Sequence, residues 1–109
     1  MVGQNELTFS KFGKSFQENL VQLIVEQRTF ADQIEEVLDI EFIEFKYLRS
    51  FVRRIFEYRQ KYKTHPSYQN LVTIFKTEFE DENEILKKQV KDYIIRINKS
   101  AIDGEEYIK

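Results

Sequence analysis

Residues 45–63 read FKYLRSFVRRIFEYRQKYK and are followed by Thr64, His65, Pro66 and Ser67. At ~100° per residue, Phe45, Leu48, Phe51, Val52, Ile55, Phe56, Tyr58 and Tyr62 fall on one half of a helix, with Tyr47 at its edge. Lys46, Arg49, Ser50, Arg53, Arg54, Glu57, Gln60 and Lys61 fall on the other half. An apolar arc of about 180° is wider than the ~100° a surface helix needs to meet one neighbour. The pattern predicts a central helix packed by several others. Arg59 is the exception, because it lies inside the apolar arc. Its simplest account is a stem lying on the core with the guanidinium at the edge; the alternative is a buried pair with a carboxylate.

The chain of 109 residues is one domain in size, large enough for a single core. Its 41% hydrophobic content argues against a disordered chain, and its 33% charged content suits helices with solvated faces. Ten Phe and six Tyr, with no Trp, make aromatic rings the expected bulk of the core. The absence of Cys removes disulfides and thiolate metal sites. No apolar run is long enough to span a membrane, and the start lacks the basic-then-apolar pattern of a signal peptide. The expected location is cytoplasmic.

In chain order, residues 1–13 read as a mobile segment, with Phe9 or Phe12 tucked onto the domain. Ser15 and Glu18 form a capping box opening a helix over about 16–27, with Phe16, Leu20, Leu23, Ile24 and Gln27 inward. Thr29 and Asp32 repeat that logic for a short helix to about residue 38, burying Phe30, Ile34, Val37 and Leu38. Residues 39–44 are expected to form a turn anchored by Phe42. After the central helix, Pro66 marks the stop and Ser67 caps a helix over about 68–79, with Leu71, Val72, Phe75 and Phe79 inward. Asp81 with Glu84 signals a last helix over about 83–98, whose inner positions are Leu86, Val90, Tyr93, Ile94 and Ile97. Residues 100–109, SAIDGEEYIK, read as a linker or the start of a further helical element. No strand-like alternation persists. The expected fold is all-α, a single compact bundle of about five helices around the central one, with its globular part over 14–99.

Charge is segregated. The net of −2 hides residues 46–63, where seven basic side chains face only Glu57, and residues 32–44, which hold six carboxylates and no basic residue. A second acidic cluster comprises Glu78, Glu80, Asp81, Glu82 and Glu84. Opposed blocks can neutralise one another across helix contacts. Alternatively, Lys46, Arg49, Arg53, Arg54 and Lys61 form a basic face for an acidic partner or for nucleic acid. Phosphate contacts from such a row would give sequence-independent affinity, but a helix wrapped by neighbours is poorly placed to enter a groove.

Catalytic signals are sparse. His65 is the only histidine, no GxSxG accompanies it, and its place before a proline in a loop suits a structural or solvent-facing role. Phosphate-binding glycine loops and calcium loops are missing from the sequence. Glu35 with Asp39, and Glu80 with Glu84, stand four apart and could in principle seat a metal. Di-metal helical bundles add Glu-x-x-His motifs that this chain lacks, so solvated acidic faces are the simpler reading. The sequence carries no cofactor or metal signature, and it reads as non-catalytic by itself.

Several short stretches, in order, resemble phage-encoded DnaB-like replicative helicases: FGKSFQ at 12–17, Phe30, IEEVL at 34–38, IFEY at 55–58, Lys61 with Tyr62, the His65-Pro66-Ser67 turn with Leu71, and DGEEYIK at 103–109. The resemblance covers about residues 12–109. It implies the globular, all-α head of the helicase N-terminal domain, which helps assemble a hexameric ring and offers a docking surface to primase or a loader. It also implies that the ATP-driven motor and a dimerising helical hairpin follow beyond Lys109, leaving this portion a monomer or weak dimer. Two other readings fit the residues: an independent nucleic-acid-binding helical domain using the basic face, and a small phage adaptor protein. No functional residue of the family transfers singly to a position in this chain.

Overall fold

A computed structural model describes the backbone of residues 13–108 and the side chains of residues 13–99. The described chain is all-helical, with five α-helices and one short 3-10 turn. We number them α1 (Gly13–Glu26), α2 (Arg28–Val37), α3 (Lys46–Tyr62), α4 (Tyr68–Glu78) and α5 (Glu84–Ile108), the 3-10 turn being Ile40–Phe42. The all-α class and the number of helices agree with the reading above. The expectation of a mobile start with Phe9 or Phe12 tucked in lies outside the described residues. The chain divides into two units, with the boundary in sequence between Pro66 and Ser67.

In the first unit, α1 begins two residues before Ser15. Gly13 has φ of 81°, a conformation open to glycine at little cost. Ser15 therefore lies inside the helix, and the box with Glu18 is not the start. The inner face is Gln17, Val21, Ile24 and Val25, whereas Phe16 and Leu23 are about two-fifths exposed. The bulkier Phe16 and Leu23 form a competing stripe one position round the helix. Gln17 is fully buried because its amide has partners: its Oε1 accepts from the Glu44 backbone N–H at 2.8 Å, and its Nε2 donates to Glu44 Oε1 at 3.5 Å. A buried polar group is tolerable on that condition.

A single residue, Gln27, separates α1 from α2. Its dihedrals are extended (φ −120°, ψ 101°) and its side chain makes no capping bond. Thr29 thus sits within α2 rather than capping it. The small Ala31 is the fully buried position of this helix, while Val37 is 77% exposed, contrary to the expected inner face. In the connection to α3, Asp39 caps the 3-10 turn by accepting from the Glu41 N–H at 3.0 Å. The anchor there is Ile43, fully buried, rather than the half-buried Phe42.

Helix α3 buries Tyr47, Leu48, Ser50, Phe51, Val52, Ile55 and Phe56. Ser50, read as polar-face, is small enough to lie inside the contact, and Tyr62, read as inward, is 54% exposed. Its hydroxyl end can stay wet while the ring packs on Tyr58, with centroids 4.7 Å apart. The helix ends at Lys63, whose left-handed backbone (φ 57°, ψ 32°) turns the chain while its N–H donates to Arg59 O at 2.9 Å.

The second unit is a helical hairpin. Ser67 caps α4 as expected, and Asn70 completes a reciprocal box: Ser67 Oγ accepts from Asn70 N–H at 3.1 Å and Asn70 Oδ1 from Ser67 N–H at 3.0 Å. Ser67→Ala is expected to cost about 1 kcal/mol, whereas Ser15→Ala, mid-turn and exposed, should change stability by under about 0.5 kcal/mol; urea unfolding of both variants checks the pair. Leu71, Ile74 and Phe79 are buried, but Val72 is 39% exposed, so the inner stripe runs through Ile74 instead. Helix α5 is capped by Asn83, whose Oδ1 accepts from Leu86 N–H at 2.8 Å, and not by Asp81. Leu86, Val90, Tyr93, Ile94 and Ile97 are all buried, as read. The Tyr68 hydroxyl donates to Ile97 O at 3.3 Å, fixing the start of α4 beside the middle of α5. The α5 backbone stays helical to Ile108, ten residues past the expected end and through Gly104. One interior glycine costs a helix only about 1 kcal/mol.

Candidate functional site

The row Lys46, Arg49, Arg53, Arg54 and Lys61 lies along one side of α3. Lys46 and Lys61 are exposed, and Arg49, Arg53 and Arg54 are half-buried. Two of the arginines are engaged at home. Arg49 Nη1 donates to the carbonyls of Ile43 and Glu44, both at 2.9 Å, and so braces the loop that enters its own helix. Arg53 pairs with Glu41 at 3.3 Å, its own side chain 39% and that of Glu41 67% exposed. The Lys61 ammonium lies 5.3 Å from the centre of the Tyr62 ring. Of the acidic residues 32–44, Glu41 thus meets the basic row directly through Arg53.

The densest polar arrangement surrounds Arg59. Its side chain is only 9% exposed. Its Nε donates to Glu35 Oε1 at 2.9 Å, one Nη donates to Asp32, and the other meets His65 Nδ1 at 2.6 Å. Arg59 is thus the buried pair with carboxylates and not a stem reaching to the edge. Gln60 Nε2 adds a 3.3 Å bond to Glu35. Asp32 and Glu35 stand three apart on α2, so both point at one guanidinium. The signal was present in the arginine inside the apolar arc and the two carboxylates on the preceding helix; their union needed the fold.

His65 completes the cluster. Its Nε2 lies 2.8 Å from Val25 O at the end of α1. A carbonyl can only accept and a guanidinium can only donate. The ring therefore carries its hydrogen on Nε2 and presents a bare Nδ1 to Arg59. With both nitrogens engaged, His65 is a structural clamp between α1 and α3, in line with the structural half of its reading. A cleft of about 320 Å³ opens over this cluster, lined also by Arg28, Lys63 and Thr64. Glu35 and Asp39, considered as a metal seat, are employed separately: Glu35 on Arg59 and Gln60, Asp39 on the 3-10 turn. Among the described residues no group of three or more His, Asp and Glu side chains is placed to hold a metal.

The hydrogen bond from Arg59 holds the Asp32 carboxyl below its usual range, against a smaller opposing push from desolvation. Burial by itself would pull Arg59 down; the bonds to Asp32 and Glu35 outweigh it and leave the guanidinium raised. Because the folded Asp32 titrates below its unfolded value of 3.8, its contribution is complete above that value. It is lost as pH falls through the lowered folded value, where the unfolded state binds more protons. Asp32→Asn should accordingly flatten the acid limb of stability, read from urea midpoints between about pH 6 and pH 3. The effect is modest because the Asp32 side chain is 56% exposed.

Among the described residues no helix is long and apolar enough to cross a membrane. No family model matches the chain, and neither a curated protein nor a solved structure does so.

Proposed function

We propose that the chain is a non-catalytic assembly and docking domain of a hexameric replicative DNA helicase, carrying contacts to other subunits and to a primase or loader. The ordered resemblance from Phe12 to the end of the chain supports this reading, as does the all-helical fold. The observation that favours protein docking over nucleic-acid binding is the engagement of the α3 arginines. Arg49 and Arg53 already bond to the chain's own carbonyls and carboxylate. A phosphate backbone would have to displace those partners before gaining anything. Lys46 and Lys61 remain exposed on the same side and suit the polar rim of a protein contact.

The coding sequence beyond Lys109 is the direct test: a phosphate-loop motor is expected there, and its absence sinks the helicase reading. In binding assays, Lys46→Glu with Lys61→Glu should weaken association with other subunits or a primase by about tenfold, since each reversed rim charge repels an acidic partner. Affinity for single- or double-stranded DNA should be weak from the outset. A steep loss of DNA affinity with added salt, abolished by the same two changes, would instead support an independent nucleic-acid-binding domain.

A further inference from the structure

The second unit carries an apolar groove of about 250 Å³ between α4 and α5. Val72, Phe75 and Lys76 form one wall, and Lys91, Ile94 and Ile95 the other. Each wall places its residues at i, i+3 and i+4, so each presents a single stripe of one helix. Two such stripes side by side bound a trough of the kind that receives a third helix. The apolar surface is open: Val72 is 39% and Ile95 54% exposed.

The cations on the walls decide the chemistry of the occupant. Lys87 and Lys88 on α5 pair with Glu84 and Asp92 of their own helix, at 3.5 and 3.3 Å. Lys76 and Lys91, which face the trough, make no ion pair among the described residues. Both charges are therefore open to a carboxylate from outside the unit, although five carboxylates lie between residues 78 and 84. Two cations beside a trough with an apolar floor suit a helix whose apolar stripe is flanked by carboxylates. A nucleic acid would leave Val72, Phe75, Ile94 and Ile95 uncovered by anything apolar.

We propose that the trough between α4 and α5 docks an acidic amphipathic helix of a partner protein. The proposal uses residues of the second unit alone, and it stands whether or not a motor domain follows Lys109. The test uses the full chain and a labelled designed peptide of about four helical turns, with Leu at i, i+3, i+4 and i+7 and Glu elsewhere. A matched peptide carries Lys in place of Glu. Fluorescence anisotropy should show the acidic peptide binding at least about tenfold more tightly than the basic one, and NMR shift changes should centre on Val72 and Ile95. Ile95→Glu should weaken the acidic peptide by about tenfold or more, a magnitude usual for a contact at the heart of an interface. Reversing both Lys76 and Lys91 to Glu should switch the preference to the basic peptide, which a merely unfolded variant could not do. Equal binding of the two peptides, shift changes elsewhere, or an unaltered preference in the reversed variant would each overturn the proposal. So would self-association through this face, seen as a dimer in light scattering that Ile95→Glu dissolves while the acidic peptide fails to bind.

Discussion

Arg59→Met should lower the free energy of unfolding by about 2–3 kcal/mol, below the 3–5 kcal/mol typical when one member of a buried pair is removed. The discount reflects the unequal surroundings of its partners. Glu35 is only 18% exposed, so its carboxylate would be left charged and poorly solvated. His65 Nδ1 would lose its donor beside the same cleft. Asp32, more than half exposed, would simply return to water and lose little. Pairing Arg59→Met with Glu35→Leu should recover part of the loss, because a desolvated carboxylate is then no longer stranded. Urea unfolding followed by circular dichroism measures both. A loss of less than about 1 kcal/mol for the single variant would mean that the arginine acts mainly through its aliphatic stem.

The second large effect is expected at Phe51. The side chain is 1% exposed and sits in the first half of α3, flanked on its own helix by the fully buried Leu48, Val52 and Ile55. Phe51→Ala should cost about 3–5 kcal/mol, the removed transfer free energy plus that of a cavity which a close-packed interior cannot fully close. Phe51→Leu, which keeps most of the volume, should cost under about 1.5 kcal/mol. A result for Phe51→Ala below about 1 kcal/mol would place this ring at a yielding margin of the core and not at its centre.

The long periodic helices were the most legible in sequence. All five inner positions read for α5 are buried, and α3 was read correctly at Leu48, Phe51, Val52, Ile55 and Phe56. A stripe repeated over four or more turns leaves little freedom in the choice of face. Helices α1 and α2 are shorter and carry apolar residues on more than one side. In α1 the large Phe16 and Leu23 outweighed a glutamine in the sequence reading, yet Gln17 is the residue inside because Glu44 satisfies its amide. Caps were legible only where the capping side chain directly precedes the helix. Ser67 does so; Asn83 does too, but the acidic Asp81 two residues earlier offers a competing signal. The Arg59 cluster depended on which distant carboxylates the fold would bring near. Asp32 and Glu35 lie 27 and 24 residues away, and no local spacing rule reaches that far.

The clamp between His65 and Val25 has a consequence in time. It joins residues 40 apart in sequence, whereas the caps at Asp39, Ser67 and Asn83 close over two or three residues. Local turns of that size form in well under a microsecond, while a contact across tens of residues must wait for the entropy of the intervening loop to be overcome. The imidazole therefore reaches its seat only after α1 and α3 have met. Its ring nitrogens, engaged by Val25 and Arg59, then report the completion of the first unit, and the single histidine of this chain is a spectroscopic probe of that event.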